Sequence, residues 1–128
     1  MQRPVIPILM LLSLAATSCA TTTSLEKAGL QELANGILAG ELGQGLNGTA
    51  LRHALEAEKN ALSSGVTGAA VYWSDSADAR GAVTPGQPYE VGTATCRRYT
   101  HQVSTGSSVR SATGTACRAK DGIWKPLA

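Results

Sequence analysis

The 128-residue sequence contains no phenylalanine, and two tryptophans and three tyrosines are its whole aromatic complement. A core built on many rings is excluded, so these few must carry much of the packing. Charge is sparse as well: Asp, Glu, Lys and Arg make up 16% of residues, with a net charge of +2. That excludes the strongly basic footprint of a nucleic-acid binder and a polybasic patch as the main membrane anchor. There are two histidines and three cysteines, a thin supply for a zinc site needing three or four ligands. No apolar run reaches the ~20 residues of a membrane-spanning helix. A chain of this length is one small domain with little surface to hide around a large enzymatic pocket.

What is present begins with a targeting segment. Arg3 supplies a short positive start and residues 5–16 are almost unbroken apolar sequence, the two parts of an export signal. Ala16-Thr17-Ser18-Cys19 follows. This run resembles the bacterial lipobox, in which the cysteine receives a thioether-linked diacylglycerol and becomes the first residue after cleavage. Residues 1–18 are then a lipoprotein signal peptide, and Cys19 is the lipidation site of a triacyl anchor of the palmitate class. Two or more acyl chains hold a protein stably on a membrane where one does not. No acidic residue follows Cys19, so the expected location is the outer membrane. The alternative is an ordinary signal cleaved near Ala20. Without Arg3, ten cations face nine carboxylates.

Export implies an oxidising compartment, which makes Cys96 and Cys117 a candidate disulfide once Cys19 is committed to lipid. Residues 96–104 and 108–117 read as strands separated by Thr105-Gly106-Ser107. If Gly106-Ser107 are the central residues of a type II′ hairpin, facing residues have numbers that sum to 213, as 96 and 117 do. Counting outward from the turn places the pair at a non-hydrogen-bonded position, where side chains lie closest. Alternation also puts Cys96 on the face of Arg98, Thr100 and Gln102, opposite that of Tyr99, Val103, Ala112 and Ala116. Either the bridge is partly exposed on the polar face, or a bulge shifts one strand.

Residues 19–48 read as a lipid-anchored tether. Leu30, Leu33, Ile37 and Leu38 give a weak helical stripe, undermined by Gly36, Gly40, Gly43 and Gly45. Gly36 to Gly40 form a GxxxG motif, but Glu32 and Glu41 bracket too few residues for a span. Residues 49–128 form the domain. Thr49 is a plausible N-cap for a helix with the stripe Leu51, Ala54, Leu55, Ala61 and Leu62, ending near Gly65; Glu58 falls beside that stripe. Strands are expected over 69–74, 80–84, 89–104, 108–118 and 122–127. The class is α+β: a small antiparallel β-sheet of four to five strands with one N-terminal helix, stapled by one disulfide.

Val71-Tyr-Trp73, Gly81-Ala-Val83-Thr-Pro85-Gly86, Pro88-Tyr89, Cys96-Arg97-Arg98-Tyr99-Thr100-His101, Gly114-Thr115-Ala116-Cys117-Arg118 and Asp121-Gly122-Ile123-Trp124 occur in this order. In order and spacing they resemble the C-terminal domain of bacterial surface-antigen lipoproteins, of the rickettsial 17-kDa surface antigen type. The likeness covers residues 49–126. That family carries a longer glycine zipper ahead of the domain, interrupted here by Asn35, Glu41, Gln44 and Asn47. The resemblance implies location and architecture, with no enzymatic activity to carry over.

The residues capable of chemistry are few. His101, Asp75 and a serine could be assembled on paper into a hydrolytic triad, but no Gly-x-Ser-x-Gly elbow frames them. Glu56 and Glu58 point to different sides of a helix. The glycine-rich stretch lacks the Gly-Lys-Ser/Thr ending of a phosphate loop. No catalytic residue, metal site or cofactor is expected. Arg97, Arg98, Tyr99, His101 and Arg118 are the candidate ligand or partner surface, facing lipopolysaccharide phosphates, peptidoglycan carboxylates or an envelope protein; the other reading is arginines that guard sheet edges against aggregation. Both tryptophans are expected in the core. The function expected is a non-enzymatic outer-membrane lipoprotein with a structural or interaction role, held to the membrane by its lipid. The alternatives are a periplasmic binding or inhibitor module, or an assembly partner of an envelope complex, and then a small hydrolase.

Replacing Cys19 by Ala is expected to move the protein from the membrane pellet to the soluble fraction; unchanged membrane retention would refute the anchor.

Overall fold

The computed structural model describes residues 20–76 and 78–127, together with residues 2, 4 and 5. Cys19 and nearly all of the expected signal lie outside the described residues. A helix α1 (Ala20–Ala34) leads through two 3-10 turns (Ile37–Ala39 and Glu41–Gly43) into helix α2 (Gly48–Ser64). Six strands follow: β1 (Val71–Asp75), β2 (Ala79–Pro85), β3 (Tyr89–Val91), β4 (Ala94–Thr105), β5 (Ser108–Arg118) and β6 (Trp124–Pro126). They form one antiparallel sheet in the order β1-β2-β4-β5-β6, with β3 pairing the start of β4.

The sheet has one strand more than the expected upper count because residues 89–104 are two strands, not one. Gly92-Thr93 turns the chain between them, with Val91 opposite Ala94 and a positive φ of 60° at Gly92. Gly106-Ser107 does the same between β4 and β5. Gly106 has φ 59° and Ser107 does not share the left-handed region, the signature of the type II′ turn. The register is the one the sequence arithmetic predicts, running without interruption from Thr105↔Ser108 to Thr95↔Arg118.

Cys96 and Cys117 are therefore opposite one another and disulfide-bonded, with Cα atoms 4.0 Å apart. No bulge intervenes. The bridge sits on the polar face, with Cys96 buried beside β3 and Cys117 half-buried beside β6.

Helix α2 begins two residues earlier than its sequence suggests: Asn47, not Thr49, is the N-cap, its Oδ1 accepting from the Ala50 N–H at 2.8 Å. Its buried side is mostly alanine (Ala50, Ala54, Ala57, Ala61) with Leu55, Leu62 and Glu58. Short side chains let the helix axis approach the sheet closely. The covered face of the sheet contributes Trp73, Val83, Tyr99, Val103 and Ala116, all buried, and Trp124 joins them.

The segment read as a tether is in part a component of this core. Leu33, Leu38 and Leu42 are buried, and α1 lies against α2 and β6. Each fully buried leucine contributes on the order of 1.5–3 kcal/mol, which outweighs the poor helix propensity of the intervening glycines. Packing thus crosses the expected boundary at residue 48.

Because each breaks the same bond, closing a 21-residue separation, Cys96→Ser and Cys117→Ser are expected to lower stability equally, by about 3 kcal/mol. Chemical denaturation checks this, and markedly unequal losses would argue against a single shared role.

Candidate functional site

His101 and Trp73 meet across β2, the strand that separates them. Trp73 is paired with Gly81, which in turn is paired with Val103. A Cβ on Gly81 would fall 2.4 Å from the Trp73 Nε1, so only glycine lets the indole pass. The Trp73 Nε1–H donates to His101 Nε2 at 2.8 Å, and His101 Nδ1 lies 2.9 Å from Glu58 Oε1 on α2. An indole nitrogen can only donate. His101 must therefore accept at Nε2, which places its proton on Nδ1, facing the Glu58 carboxylate. Glu58 and His101 are both fully buried. Burial pushes the Glu58 carboxyl above its ordinary range, against the opposing pull of the His101 hydrogen bond. Its second oxygen, Oε2, has no hydrogen-bond partner among the described residues.

This arrangement joins a histidine to an acid, as a hydrolase requires, but leaves it nothing to do. Both ring nitrogens are engaged, the ring is fully buried, and neither partner is a hydroxyl or thiol for it to activate. Asp75, the acid of the paper triad, stands 3.8 Å from His53 Nε2 instead. Among the described residues no group of three His, Cys, Asp or Glu side chains is placed to hold a metal ion.

Arg97 is also buried, and it closes the C-terminus of α2. Nη1 donates to the carbonyls of Ala61 and Leu62, Nη2 to that of Gly65, and Nε to that of Gly86. Cations are favoured at a helix C-terminus by its partial negative charge, and the planar guanidinium is the one side chain that can reach so many acceptors. The five residues expected to form one surface are therefore divided. Arg97, Tyr99 and His101 point inward under α2, Arg98 is exposed on the opposite face, and half-buried Arg118 stacks over Trp124 with its guanidinium carbon 5.0 Å from the ring centroid. The arginine pattern was legible as alternation; which face the helix would cover was not. Glu58, the partner of His101, was missed, although its place beside Leu55 and Leu62 on the α2 stripe is the signal that marks it.

The outer face of the sheet is different in chemistry. Its outward positions on β1, β2, β4 and β5 include Tyr72, Arg80, Arg98, Thr100, Gln102 and Thr113, and none is a carboxylate. Tyr72 is 79% exposed. Thr100 and Thr113 hydrogen-bond across β4 and β5 at 3.0 Å.

The family described as 17 kDa outer membrane surface antigen matches residues 60–125. Two proteins named 17 kDa surface antigen, one from Rickettsia bellii strain RML369-C and one from Rickettsia bellii, are each 33% identical to this chain over 87 residues. The aligned segment covers 66% of this chain and 55% of each relative, so the chain spans only about half the length of the relatives it matches. No solved structure is significantly similar.

A carboxyl whose folded pKa is raised holds its proton more tightly in the folded protein than in the unfolded chain. The stability that Glu58 contributes is thus complete below its ordinary value of 4.5 and is lost as pH rises through the folded value. Glu58→Gln keeps the shape and the acceptor for His101 but cannot ionise. The difference in melting temperature between variant and wild type is expected to shift in the variant's favour from pH 4.5 to pH 7; parallel curves would show that Glu58 does not titrate as described.

Proposed function

The chain belongs to the family of 17 kDa outer membrane surface antigens, and from that membership we propose that it is a non-enzymatic lipoprotein, anchored to the outer membrane through Cys19, with an interaction or structural role at the envelope. The observation that carries the reading is the Cys96–Cys117 bridge within the matched segment. With two of three cysteines paired, Cys19 is the remaining thiol, and it sits in a lipobox-like run. A structural disulfide fits an exported protein. The closed Glu58–His101–Trp73 network supports the non-enzymatic part, since the buried histidine has both ring nitrogens engaged.

Within the glycine-rich stretch, Gly36 packs against Pro126 and Tyr99. No helix among the described residues is long and apolar enough to cross a membrane. A second reading, a periplasmic binding module or assembly partner, is favoured by one feature. The outer sheet face keeps Arg80 exposed near Tyr72 and Arg98 exposed further along β4, with no carboxylate at the outward positions of β1, β2, β4 and β5, and so suits phosphates of lipopolysaccharide, carboxylates of peptidoglycan or an acidic protein surface.

Intact mass of the protein taken from its own membranes tests the proposal. The expected mass is that of residues 19–128 plus acyl chains, less two hydrogens until the bridge is reduced. An unlipidated mass beginning after Ala20 would overturn the anchor and move the binding-module reading forward.

A further inference from the structure

Helix α1 begins at Ala20, the residue after Cys19, and lies against α2 and β6. Its first turns stand at one end of the sheet. Leu25 and Glu26 form one wall of a groove of about 280 Å³, and the turn from Asp121 to Trp124 forms the other. The register puts two more segments at that end. Arg118, where the chain leaves β5 for β6, is opposite Thr95, and Val91, where β3 turns into β4, is opposite Ala94. The β4–β5 turn at Gly106 and the β1–β2 turn after Asp75 lie at the other end. The 12 residues of β4 separate the two ends, by about 36 Å at the rise of a strand.

Exposed apolar side chains collect at the α1 end. Leu25 is 53% exposed and Val91 58%, and Tyr89 on the same short strand is exposed as well. The carboxylates there are engaged locally. Glu26 lies 3.9 Å from the Lys59 ammonium, Glu90 accepts the Thr95 hydroxyl proton at 2.8 Å, and Asp121 pairs with Lys125 at 3.4 Å. Lys120 is exposed and has no ion pair or hydrogen bond among the described residues. This end therefore offers apolar surface and an uncompensated cation together.

We propose that this end of the domain docks on the phospholipid surface, with Leu25, Tyr89 and Val91 at the boundary between headgroups and acyl chains and the Lys120 ammonium against lipid phosphate. The choice of a bilayer as the partner rests on the Cys19 anchor read above. Helical rise places Leu25 about 7.5 Å along α1 from Ala20, so an acylated Cys19 brings this end, and not the other, to the headgroups. Tyrosine and lysine suit that depth, since each keeps a polar tip in water above an apolar body. An anionic leaflet attracts an unpaired lysine within a Debye length of its surface. The strands then run away from the membrane, and the outer sheet face stays open.

The test is an amide NMR spectrum of the full-length acylated protein in nanodiscs of phosphatidylethanolamine and phosphatidylglycerol. The discs carry a gadolinium-chelate lipid, and the reference discs carry the diamagnetic lutetium chelate. Signals of Leu25, Gly92 and Gly122 are expected to be lost, while those of Asp75 and Gly106 remain. Lys120→Gln is expected to lower the ratio of docked to undocked protein about fivefold. Combined with Val91→Ser, also at an exposed position, it should restore the Gly92 and Gly122 signals with the melting temperature unchanged, while Leu25 stays lost beside the anchor. Loss confined to the first turns of α1, or spread equally over both ends, describes a domain swinging on its anchor and would overturn the proposal. Retention of the protein by the discs reports the anchor and the pattern of lost signals reports docking, so the two readings fail separately.

Discussion

The Arg97 guanidinium determines where the helix sits on the sheet. It ties three carbonyls at the end of α2 and one from the connection after β2 to a single position on β4. Burying a cation without a carboxylate costs several kcal/mol unless its donors are met. Four carbonyl acceptors and the negative end of a helix meet them. Each such bond contributes on the order of 1.5–3 kcal/mol, and the Leu62 and Gly65 carbonyls lie at a helix end where intrahelical partners run out. The cost and the geometry act together: any sliding of α2 along the sheet strands both the charge and the carbonyls. The Glu58–His101–Trp73 chain adds a second fixed point further along the same helix, so that position and rotation are both set by polar contacts.

Those contacts have this importance because the apolar core is made of small parts. With no phenylalanine, α2 presents alanines, and close approach replaces bulk. Alanine surfaces interdigitate weakly and specify register poorly compared with large branched side chains. The few rings are placed by glycines: Gly81 opens β2 to Trp73, and Gly36 with Gly114 makes room for the end of Tyr99. Glycine costs backbone entropy in strands and helices. Here it converts a shortage of large residues into specific positions for those present.

Much of this architecture was written in short-range patterns. The β4–β5 register followed from one Gly-Ser turn and the period of two, and the disulfide followed from the register. Helix α2 followed from its stripe. What escaped depended on long-range partners. Gly92-Thr93 lies in a run of strand-forming residues and turns only because β3 has a place beside Cys96. Leu33, Leu38 and Leu42 have too broken a periodicity to announce a core, and it is the space beside α2 and the sheet that orders them. Arg97 and His101 shared the parity of Tyr99 and Val103, yet their charge and polarity argued for solvent. Parity says which residues share a face; it does not say that a helix terminus and a buried glutamate await them there.

The division of labour between the two faces follows from these constraints. On the covered face Arg97, His101 and Glu58 are committed to holding α2: Arg97 to carbonyls, His101 to Glu58 and Trp73. Altering any of them for a reaction would loosen the joint between helix and sheet. The outer face and the β5 edge carry no such duty. Arg80, Arg98 and Tyr72 support no packing that their exposure would explain, and the Tyr99 hydroxyl is a polar group in the interior that holds nothing. In a domain with so few large or charged side chains, those that stabilise nothing are where recognition can be built without cost to the fold. Selection for a partner would act on that surface, while the inner face stays fixed by the requirement to fold.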